Sequence, residues 1–454
     1  RAFERDCVGI IVAANGDKLI EVDDIRKRFF VVDAQKNRVI VIDETGRVIE
    51  TIGNGATGNK AGRFPACQFN AISGLAYDSD QDVLYISDSN NHQVKKADFE
   101  TGEVKVVLGS GKPSLIAGQK VTGVTGSIDF PGSLVFQDNL LFIAMNGDRQ
   151  LYKFNTLTAE ASLIAGSGNR KVKLGKGKDA SFESMNQLFK LGDFIGVLDV
   201  LNQQVFSVSK EGEVQHQDFI EMAKKDYPNA YISSVLMHES VMYLSDAMTG
   251  KILKIEEEEV KIFSGKGSET YGYNDGKSKK AKYRMISDLK IFGKELLAVD
   301  QGNGQIRRIS LKKGKSTSLD LTDYKFIFMN FDPYGGESYA YTDVVPFSIT
   351  ERGVLTVDIQ LPEGYSWDRS GRNEVYITEE RGSVLTISDP TTGYIEVDVQ
   401  PNAEFPNLSL QVFMTAKGPE DQVLFQAVVL SIPFDLKSGG PTEGGVVLTP
   451  FTVQ

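Results

Sequence analysis

Short apolar runs recur along the first 320 residues of the chain and are separated by polar turns. In the stretch Val83–Ala97 one apolar run ends at Asp88, a polar turn follows, and a second run begins at Gln93. Two short apolar runs around a few polar residues predict two antiparallel strands joined by a tight turn.

This strand–turn–strand unit occurs six times. The residue that ends its first run, which we call the marker, stands at positions 33, 88, 145, 199, 246 and 300. Another apolar run precedes each unit and a fourth follows it, as Ser73–Tyr77 and Glu103–Leu108 do in the second copy. Four short strands per period of about fifty residues indicate a propeller blade. The sequence therefore predicts an all-β fold that begins with a six-bladed β-propeller.

The ends of the fourth runs carry a second pattern. Four copies end in Gly-x-Gly, at Gly53-Asn-Gly55, Gly109-Ser-Gly111, Gly166-Ser-Gly168 and Gly265-Lys-Gly267. A nucleotide-binding Gly-x-Gly leads from a strand into a helix, whereas long loops follow here. We interpret these glycines as backbone turns between blades. The fourth copy lacks the pattern and has a predicted short helix, Asp218–Lys225, so its exit loop should differ.

Five of the six markers are aspartates, and we interpret them as structural. A carboxylate after a strand can accept backbone N–H bonds in the following turn. The predicted turn residues are Asp33, Asp88, Asp199, Asp246 and Asp300. The third copy has Met145 with Asn146 after it, as if the polar acceptor had moved by one place. His92, in the second marker turn, is expected to be exposed to solvent.

Two loops between blades are rich in basic residues. A four-stranded meander places its second turn and the loop to the next blade at the same end, so these loops and the marker turns are expected to share one face. The candidate binding residues are Arg170, Lys171, Lys173, Lys176 and Lys178 in one loop and Lys279, Lys280, Lys282 and Arg284 in the other. Such a face attracts anions, either nucleic acid or an acidic protein. The alternatives are solvated loops or loops that contact the chain's own acidic C-terminal region.

The C-terminal region has a different pattern. Apolar and polar residues alternate from Val354 to Leu361, which predicts a strand, and further strands are predicted over 375–378, 395–400, 408–415 and 422–432. Several short strands at this spacing predict a β-sandwich. The predicted organisation is an N-terminal lead-in over 1–17, the propeller over 18–320, a linker over 321–350 and the sandwich over 351–454.

Charge supports this division. Of the 454 residues, those from 321 onward include 19 Asp or Glu and 7 Lys or Arg, a net of −12, whereas residues 1–320 have a net of +1. Such an asymmetry suggests separate domains. No apolar stretch is long enough to span a membrane. Cys7 and Cys67 form no CxxC or zinc pattern, and no metal or cofactor is expected.

The repeat resembles a known group. The sequence Leu84–Val94, together with Gly-x-Gly loops followed by Asp275-Gly276 and Ala281, resembles NHL repeats, most clearly in copies two and six. A propeller followed by a domain with Leu361-Pro-Glu-Gly-Tyr365 resembles the NHL-repeat-containing protein 2 family, which includes plant suppressor-of-quenching proteins. In that family a thioredoxin-like domain usually precedes the propeller. No CxxC occurs in this sequence, so the resemblance implies that any redox chemistry lies in a domain or partner outside it.

These observations favour a non-catalytic scaffold for protein–protein interaction, docking a thioredoxin-like domain or partner or belonging to a larger assembly. The alternative is a propeller that binds RNA or another anion through its basic face, although few aromatic residues accompany the lysines. A propeller lyase or lactonase is the third hypothesis; it would need His or carboxylate ligands that converge on the central channel. The resemblance favours an organelle, the chloroplast with its thylakoid lumen or the mitochondrion, over the cytosol. A first residue other than Met fits a processed organellar protein and an arbitrary start of the sequence equally well.

Overall fold

The structure is a computed structural model that describes residues 20–113, 120–266 and 272–321 and, beyond residue 352, eight strands with a few adjoining residues. The chain divides into two compact units, residues 4–322 and residues 323–454 with residues 1–3. The predicted lead-in and nearly all of the predicted linker lie outside the described residues, and the predicted domain limits remain predictions.

The first unit is a six-bladed β-propeller, as predicted. Blade 1 contains β1 (Ile20–Asp23), β2 (Arg28–Asp33), β3 (Arg38–Asp43) and β4 (Val48–Ile52). Blade 2 contains β5 (Gly62–Arg63), β6 (Ile72–Asp78), β7 (Val83–Asp88), β8 (Gln93–Asp98) and β9 (Glu103–Leu108). Blade 3 contains β10 (Val121–Thr122), β11 (Pro131–Gln137), β12 (Leu140–Met145), β13 (Gln150–Asn155) and β14 (Glu160–Ala165).

The other three blades follow in chain order. Blade 4 contains β15 (Gly175–Lys176), β16 (Gln187–Leu191), β17 (Phe194–Asp199), β18 (Gln204–Val208) and β19 (Glu213–Gln217). Helix α1 (Phe219–Asp226) comes next, one residue from its predicted place. Blade 5 contains β20 (Ile232–His238), β21 (Val241–Asp246), β22 (Lys251–Glu256) and β23 (Glu259–Ser264). Blade 6 contains β24 (Ile286–Phe292), β25 (Glu295–Asp300), β26 (Gln305–Ser310) and β27 (Ser316–Leu319).

Every blade has the same antiparallel meander, whose four long strands we call a, b, c and d from first to last. In blades 2, 3 and 4 a two-residue strand from the preceding loop pairs with strand d. Six short 3-10 helices lie in the turns and loops, at Ala34–Lys36, Phe64–Ala66, Ser89–Asn91, Gly123–Thr125, Gly177–Asp179 and Gln301–Asn303.

The apolar core lies between neighbouring blades. Strands β2 and β7 are buried along their whole length because each blade packs against others on both faces. Blades 2 and 3 share a cluster that contains Tyr85, Leu134 and Ile143. Between blades 4 and 5, α1 contributes Ile220 and Ala223 to the shared cluster. The helix therefore replaces the loop packing that the other blades use.

The ring closes between blades 1 and 6. Each blade takes its long strands from one continuous stretch, and among the described strands the first and last blades share no sheet and meet through side-chain and backbone contacts. The Glu21 carboxylate lies 2.7 Å from Lys290 Nζ, and the Ile20 N–H donates to Asp288 at 3.4 Å. Burial by itself would lower the pKa of Lys290, but the carboxylates of Glu21 and Asp288 outweigh it and raise that pKa.

The C-terminal unit has eight described strands: β28 (Gly353–Ile359), β29 (Ser366–Trp367), β30 (Glu374–Ile377), β31 (Val384–Ile387), β32 (Tyr394–Val399), β33 (Asn407–Lys417), β34 (Val423–Pro433) and β35 (Glu443–Leu448). Strand β28 pairs with β32 antiparallel and with β35 parallel, and β33 pairs with β29, β30 and β34. The predicted strands are present here, whereas the sandwich packing remains a prediction.

Candidate functional site

The marker turns are the most regular feature of the propeller. In all six blades the fourth residue after the marker has a left-handed backbone with a positive φ. These residues are Asn37, His92, Arg149, Gln203, Gly250 and Gly304. The repeat therefore specifies the conformation of this turn more strictly than the residue that occupies it.

The marker aspartates are fully buried and join strand b to the segment that leads into strand a of the same blade. The carboxylates accept N–H bonds from Asn70 at 2.7 Å in blade 2, from Tyr231 at 3.0 Å in blade 5 and from Arg284 at 2.7 Å in blade 6. A backbone N–H and further donors satisfy each of these buried acceptors, which is a structural arrangement.

Blades 1, 2 and 6 add a buried cation to the marker. Lys95 Nζ lies 2.6 Å from Asp88, and Arg307 lies 2.9 Å from Asp300, with all four side chains inaccessible to solvent. In blade 1, Arg38 lies 2.9 Å from Asp33. The turn itself is closed by the side chains of Asn91 and Asn303 in blades 2 and 6, whereas Asp33 accepts the Lys36 N–H directly.

Arg307 is the centre of the largest of these networks. Its guanidinium also pairs with Asp275 at 2.7 Å and lies within 5.0 Å of the ring centres of Tyr273 and Tyr283. Burial nevertheless raises the pKa of Asp300 to about 6, more than its hydrogen bonds and Arg307 lower it. The Asp275-Gly276 pair of the repeat pattern therefore holds a buried arginine.

His92 is buried, so the expectation of solvent exposure is wrong. Its side chain is 11% exposed, its ring packs edge-on against Phe130, and its Nδ1 accepts the Phe130 N–H at 3.3 Å. Asp129 lies 3.4 Å from the same nitrogen. The histidine is buried because strand a of blade 3 begins directly beside the marker turn of blade 2.

The Gly-x-Gly segments of blades 1, 2 and 3 each connect to the next blade by two successive backbone bonds. In the third and fourth blades the Gly166 N–H donates to the Gly177 carbonyl at 3.0 Å, and the Gly177 N–H donates to Gly212 at 3.0 Å. Equivalent pairs of bonds join blades 1 and 2 through Phe64 and blades 2 and 3 through Gly123. We call these contacts joint 1/2, joint 2/3 and joint 3/4; joint 5/6 uses Ser278 and Gly314.

The contacts at the joints also explain why the first residue of the Gly-x-Gly segment is a glycine. Gly109 has a φ of +98°, and a Cβ at that position would lie 2.2 Å from the His92 carbonyl oxygen. Since strand d ends against the marker turn of its own blade, the position tolerates neither a side chain nor an ordinary φ.

The joints show where the predicted basic residues lie in the fold. Each loop leaves the marker end of one blade and reaches the turn between strands c and d of the next, which lies at the opposite end of the meander. Lys176 and Lys178 therefore flank joint 3/4, and Lys279 and Lys280 lie at joint 5/6. Upstream of Lys176, the exposed part of the same loop contains Arg170, Lys171 and Lys173. Lys282 and Arg284 differ, because their backbone groups support Arg307 and Asp300. Because joints 2/3 and 5/6 lie beside the marker turns at His92 and Gly250, the basic face stays a prediction.

Joint 5/6 is the most basic of the joints. An open depression of about 560 Å³ is lined by Lys277, Ser278, Lys279, Lys280, Lys313 and Lys315. Sequence reasoning missed Lys313 and Lys315, although the run Lys312-Lys313-Gly-Lys315 was visible in the turn between the last two strands of blade 6.

The marker end of the propeller carries exposed apolar side chains. Leu201 and Met248 stand in the marker turns of blades 4 and 5 and are 71% and 57% exposed. Phe130 and Met285, which immediately precede strand a in blades 3 and 6, are 40% and 48% exposed. Their carbonyls accept N–H bonds from the marker turns of their own blades at 3.0 and 3.2 Å. These four residues, which we call the apolar arc, come from four consecutive blades.

The central channel contains a cavity of about 290 Å³ lined by the a strands of all six blades. Among its lining residues, all of which are described, Glu21 is the one carboxylate and it is paired with Lys290; His238 is the one histidine. Within the described part of the chain, no group of three or more His, Cys, Asp or Glu residues could hold a metal. The ligand set that a propeller lyase or lactonase would require is not found among these residues.

Cys67 is inert by its position. It is fully buried at joint 1/2, its Sγ lies 3.2 Å from the Phe64 carbonyl, and burial raises the pKa of its thiol to about 12. Cys7 lies outside the described residues.

Comparison with known proteins agrees with this repeat. The NHL repeat family matches residues 69–96, which span strands β6 and β7 and most of β8. The chain carries an NHL repeat. It is 24% identical to Protein SUPPRESSOR OF QUENCHING 1, chloroplastic, of Arabidopsis thaliana over 92% of this chain and 43% of that protein. It is 30% identical to NHL repeat-containing protein 2 of Gallus gallus over 29% of this chain and 19% of the relative. The predicted resemblance to the NHL-repeat-containing protein 2 family is confirmed.

The matches to relatives and to solved structures each cover part of a chain. The chain spans less than half the length of the curated relatives it matches. Among solved structures, a protein of unknown function from Bacteroides thetaiotaomicron matches with a TM-score of 0.45 and 13% identity, over 65% of this chain and 70% of that one.

In the described part of the chain, no helix is long and apolar enough to cross a membrane.

Proposed function

We propose that this chain is a non-catalytic scaffold whose propeller docks a protein partner through the apolar arc. The observation that carries the proposal is the exposure of Leu201 and Met248 on adjacent marker turns. Large apolar side chains that are exposed together on a folded surface favour protein contact. The marker turns beneath them are fixed by buried aspartates, so the surface is rigid and loses little entropy on binding.

The chemistry of the remaining sites supports a scaffold. The marker aspartates accept structural hydrogen bonds, Glu21 is paired with Lys290, and Cys67 is inaccessible to solvent. The partner we propose is a thioredoxin-like domain or protein, since the family resemblance implies one. The chain would position this partner, and the redox chemistry would belong to the partner.

Binding of a purified thioredoxin-like domain of the family, measured by isothermal titration calorimetry, tests the proposal. The double variant Leu201→Asp, Met248→Asp should weaken binding by at least about tenfold, because it places two charges in a desolvated contact. Leu157→Asp is the matched control: Leu157 is equally exposed, at 71%, but lies in the turn between strands c and d of blade 3, at the other end of the meander.

Two results would contradict this function. Binding that is equal in the double variant and the parent would exclude the apolar arc, and an equal loss with Leu157→Asp would show an unspecific effect of charge. Far-UV circular dichroism of each variant shows whether the propeller is intact.

We also propose that the protein works in an organelle. The support is the similarity to a relative whose name places it in the chloroplast. Fractionation of source cells, followed by immunodetection with an antibody against the propeller, tests the location; recovery with the cytosolic fraction alone would contradict it.

A further inference from the structure

The lysines at joint 5/6 are not needed to join the blades. Joint 2/3 connects its blades by a pair of backbone bonds through Gly123 without a charged residue among 121–125. Joint 3/4 carries Lys176 and Lys178, but acidic Asp179 and Glu211 accompany them. At joint 5/6 five lysines line one depression, and no acidic residue is among its lining residues. The fold accepts uncharged and mixed sequences at this position, so the concentration of lysines requires a separate explanation.

The charge of the depression is uncompensated among the described residues. Lys277, Lys279, Lys280, Lys313 and Lys315 take part in none of the ion pairs that the described carboxylates form, whereas the surface lysines Lys105, Lys120, Lys254 and Lys261 all do. Like charges that share a small surface repel one another. An anionic ligand would relieve this repulsion.

The donor groups available at this site favour one class of anion over others. A phosphate site normally offers free backbone N–H groups in a turn or nest. Here the turn N–H groups of Lys280 and Ala281 donate to the Lys277 carbonyl, and those of Lys313 and Gly314 donate to Ser310. The six lining residues include no arginine for bidentate phosphate binding and no aromatic ring on which a base could stack. The remaining donors are the lysine ammonium groups, which lie on flexible side chains. Such groups suit the spaced carboxylates of an acidic polypeptide.

We infer that joint 5/6 binds an acidic segment of a partner polypeptide, one rich in Asp and Glu. This site differs from the apolar arc in its lining, which is five lysines and a serine and includes none of the four apolar residues. It does not depend on the docking function proposed above.

Fluorescence anisotropy of a labelled octaglutamate peptide with the whole chain tests the inference. Binding should be present at low salt, and the logarithm of its association constant should fall linearly with the logarithm of salt concentration. The triple variant Lys277→Glu, Lys280→Glu, Lys313→Glu should weaken binding by at least roughly tenfold, while the charge-conserving replacement of the same lysines by Arg should retain it.

The matched control is Lys171→Glu, Lys176→Glu, Lys178→Glu, which changes the net charge equally at the loop of joint 3/4. Its affinity for octaglutamate should stay within about twofold of the parent. An equal loss in the two triple variants would overturn the inference in favour of a diffuse basic surface. Tighter binding of a U12 RNA than of octaglutamate would overturn it in favour of nucleic acid, and absence of peptide binding at low salt would overturn it outright.

Discussion

Blades 1, 2 and 6 differ from blades 3, 4 and 5 in how they fix the same turn. The first group pairs its marker aspartate with a buried cation, as in Asp88–Lys95 and Asp300–Arg307. In blades 4 and 5 neutral groups donate instead: Ser184 and Asn202 to Asp199, and backbone N–H groups with Thr249 to Asp246. Blade 3 has Met145 in place of the aspartate. The turn geometry is the same in both, so the ion pair is one of several ways to satisfy a buried acceptor.

The same comparison separates stability from function. Three of the four residues of the apolar arc, Phe130, Leu201 and Met248, come from blades 3, 4 and 5. Blade 2 instead presents polar Asn90 in its marker turn. The blades that depart from the repeat pattern are therefore those that carry most of the proposed docking surface, whereas the blades that keep it contain the buried networks.

The largest expected effect comes from breaking one ion pair. Arg307→Met leaves the inaccessible carboxylate of Asp300 without its buried cation and should lower the free energy of unfolding by about 3 kcal/mol. Asp246→Asn keeps an oxygen that can accept the Tyr231 N–H and should cost about 1 kcal/mol. Urea unfolding followed by far-UV circular dichroism measures both. An equal loss of unfolding free energy in the two variants would show that the ion pair adds nothing beyond the hydrogen bonds that the marker carboxylate accepts.

A double variant sharpens the same point in blade 2. Lys95→Met leaves the buried Asp88 carboxylate without its cation and should cost about 3 kcal/mol. Adding Asp88→Asn removes the uncompensated charge, so the double variant should be more stable than Lys95→Met alone. A double variant that is less stable than the single one would instead assign the main contribution to the hydrogen bonds that Asp88 accepts from Asn70 and Asn91.

The third effect is a pH dependence in blade 6. The pKa of Asp300 is raised to about 6 by burial, above its ordinary value of 3.8. Between those two values the folded state holds a proton that the unfolded state releases, so protonation stabilises the fold. This contribution is fully present below pH 3.8 and is lost as the pH rises through 6. The stability difference between the parent and Asp300→Asn should therefore shift in favour of the parent as the pH falls from 7 to 4, in urea titrations at each pH. A difference that is constant with pH would contradict the raised pKa.

The smallest effect concerns Cys67. Ala180 and Ala281 accept the corresponding N–H bonds at joints 3/4 and 5/6, from Ser167 and Lys266, so Cys67→Ala should change the free energy of unfolding by less than about 1 kcal/mol. Because the pKa of the thiol is raised to about 12, iodoacetamide at pH 8 should label Cys67 in the native protein far more slowly than in urea. Peptide mass spectrometry gives both rates. Rapid native labelling would show that joint 1/2 opens.

Much of the propeller was predictable because it is local and repeated. The marker spacing predicted six blades, and the Gly-x-Gly ends and the helix near Asp218 predicted which exit loop would differ. The chemistry of the markers was predictable only in part, because Lys95 and Arg307 stand seven residues after their aspartates with nothing in the local pattern to show that they point inward. The path of the basic loops was not predictable, because each loop reaches the turn between strands c and d of the next blade, a contact that its sequence does not encode.

The sequence by itself determined the strand order, the turn positions and the number of blades, since each depends on a pattern within about fifty residues. Only the tertiary structure decided which side chains meet. Lys277 and Lys313 are 36 residues apart in the chain and line one depression, because the loop before blade 6 packs against the last turn of that blade. Glu21 and Lys290 close the ring across 269 residues. Contacts of this kind depend on packing between blades, which no repeat pattern records.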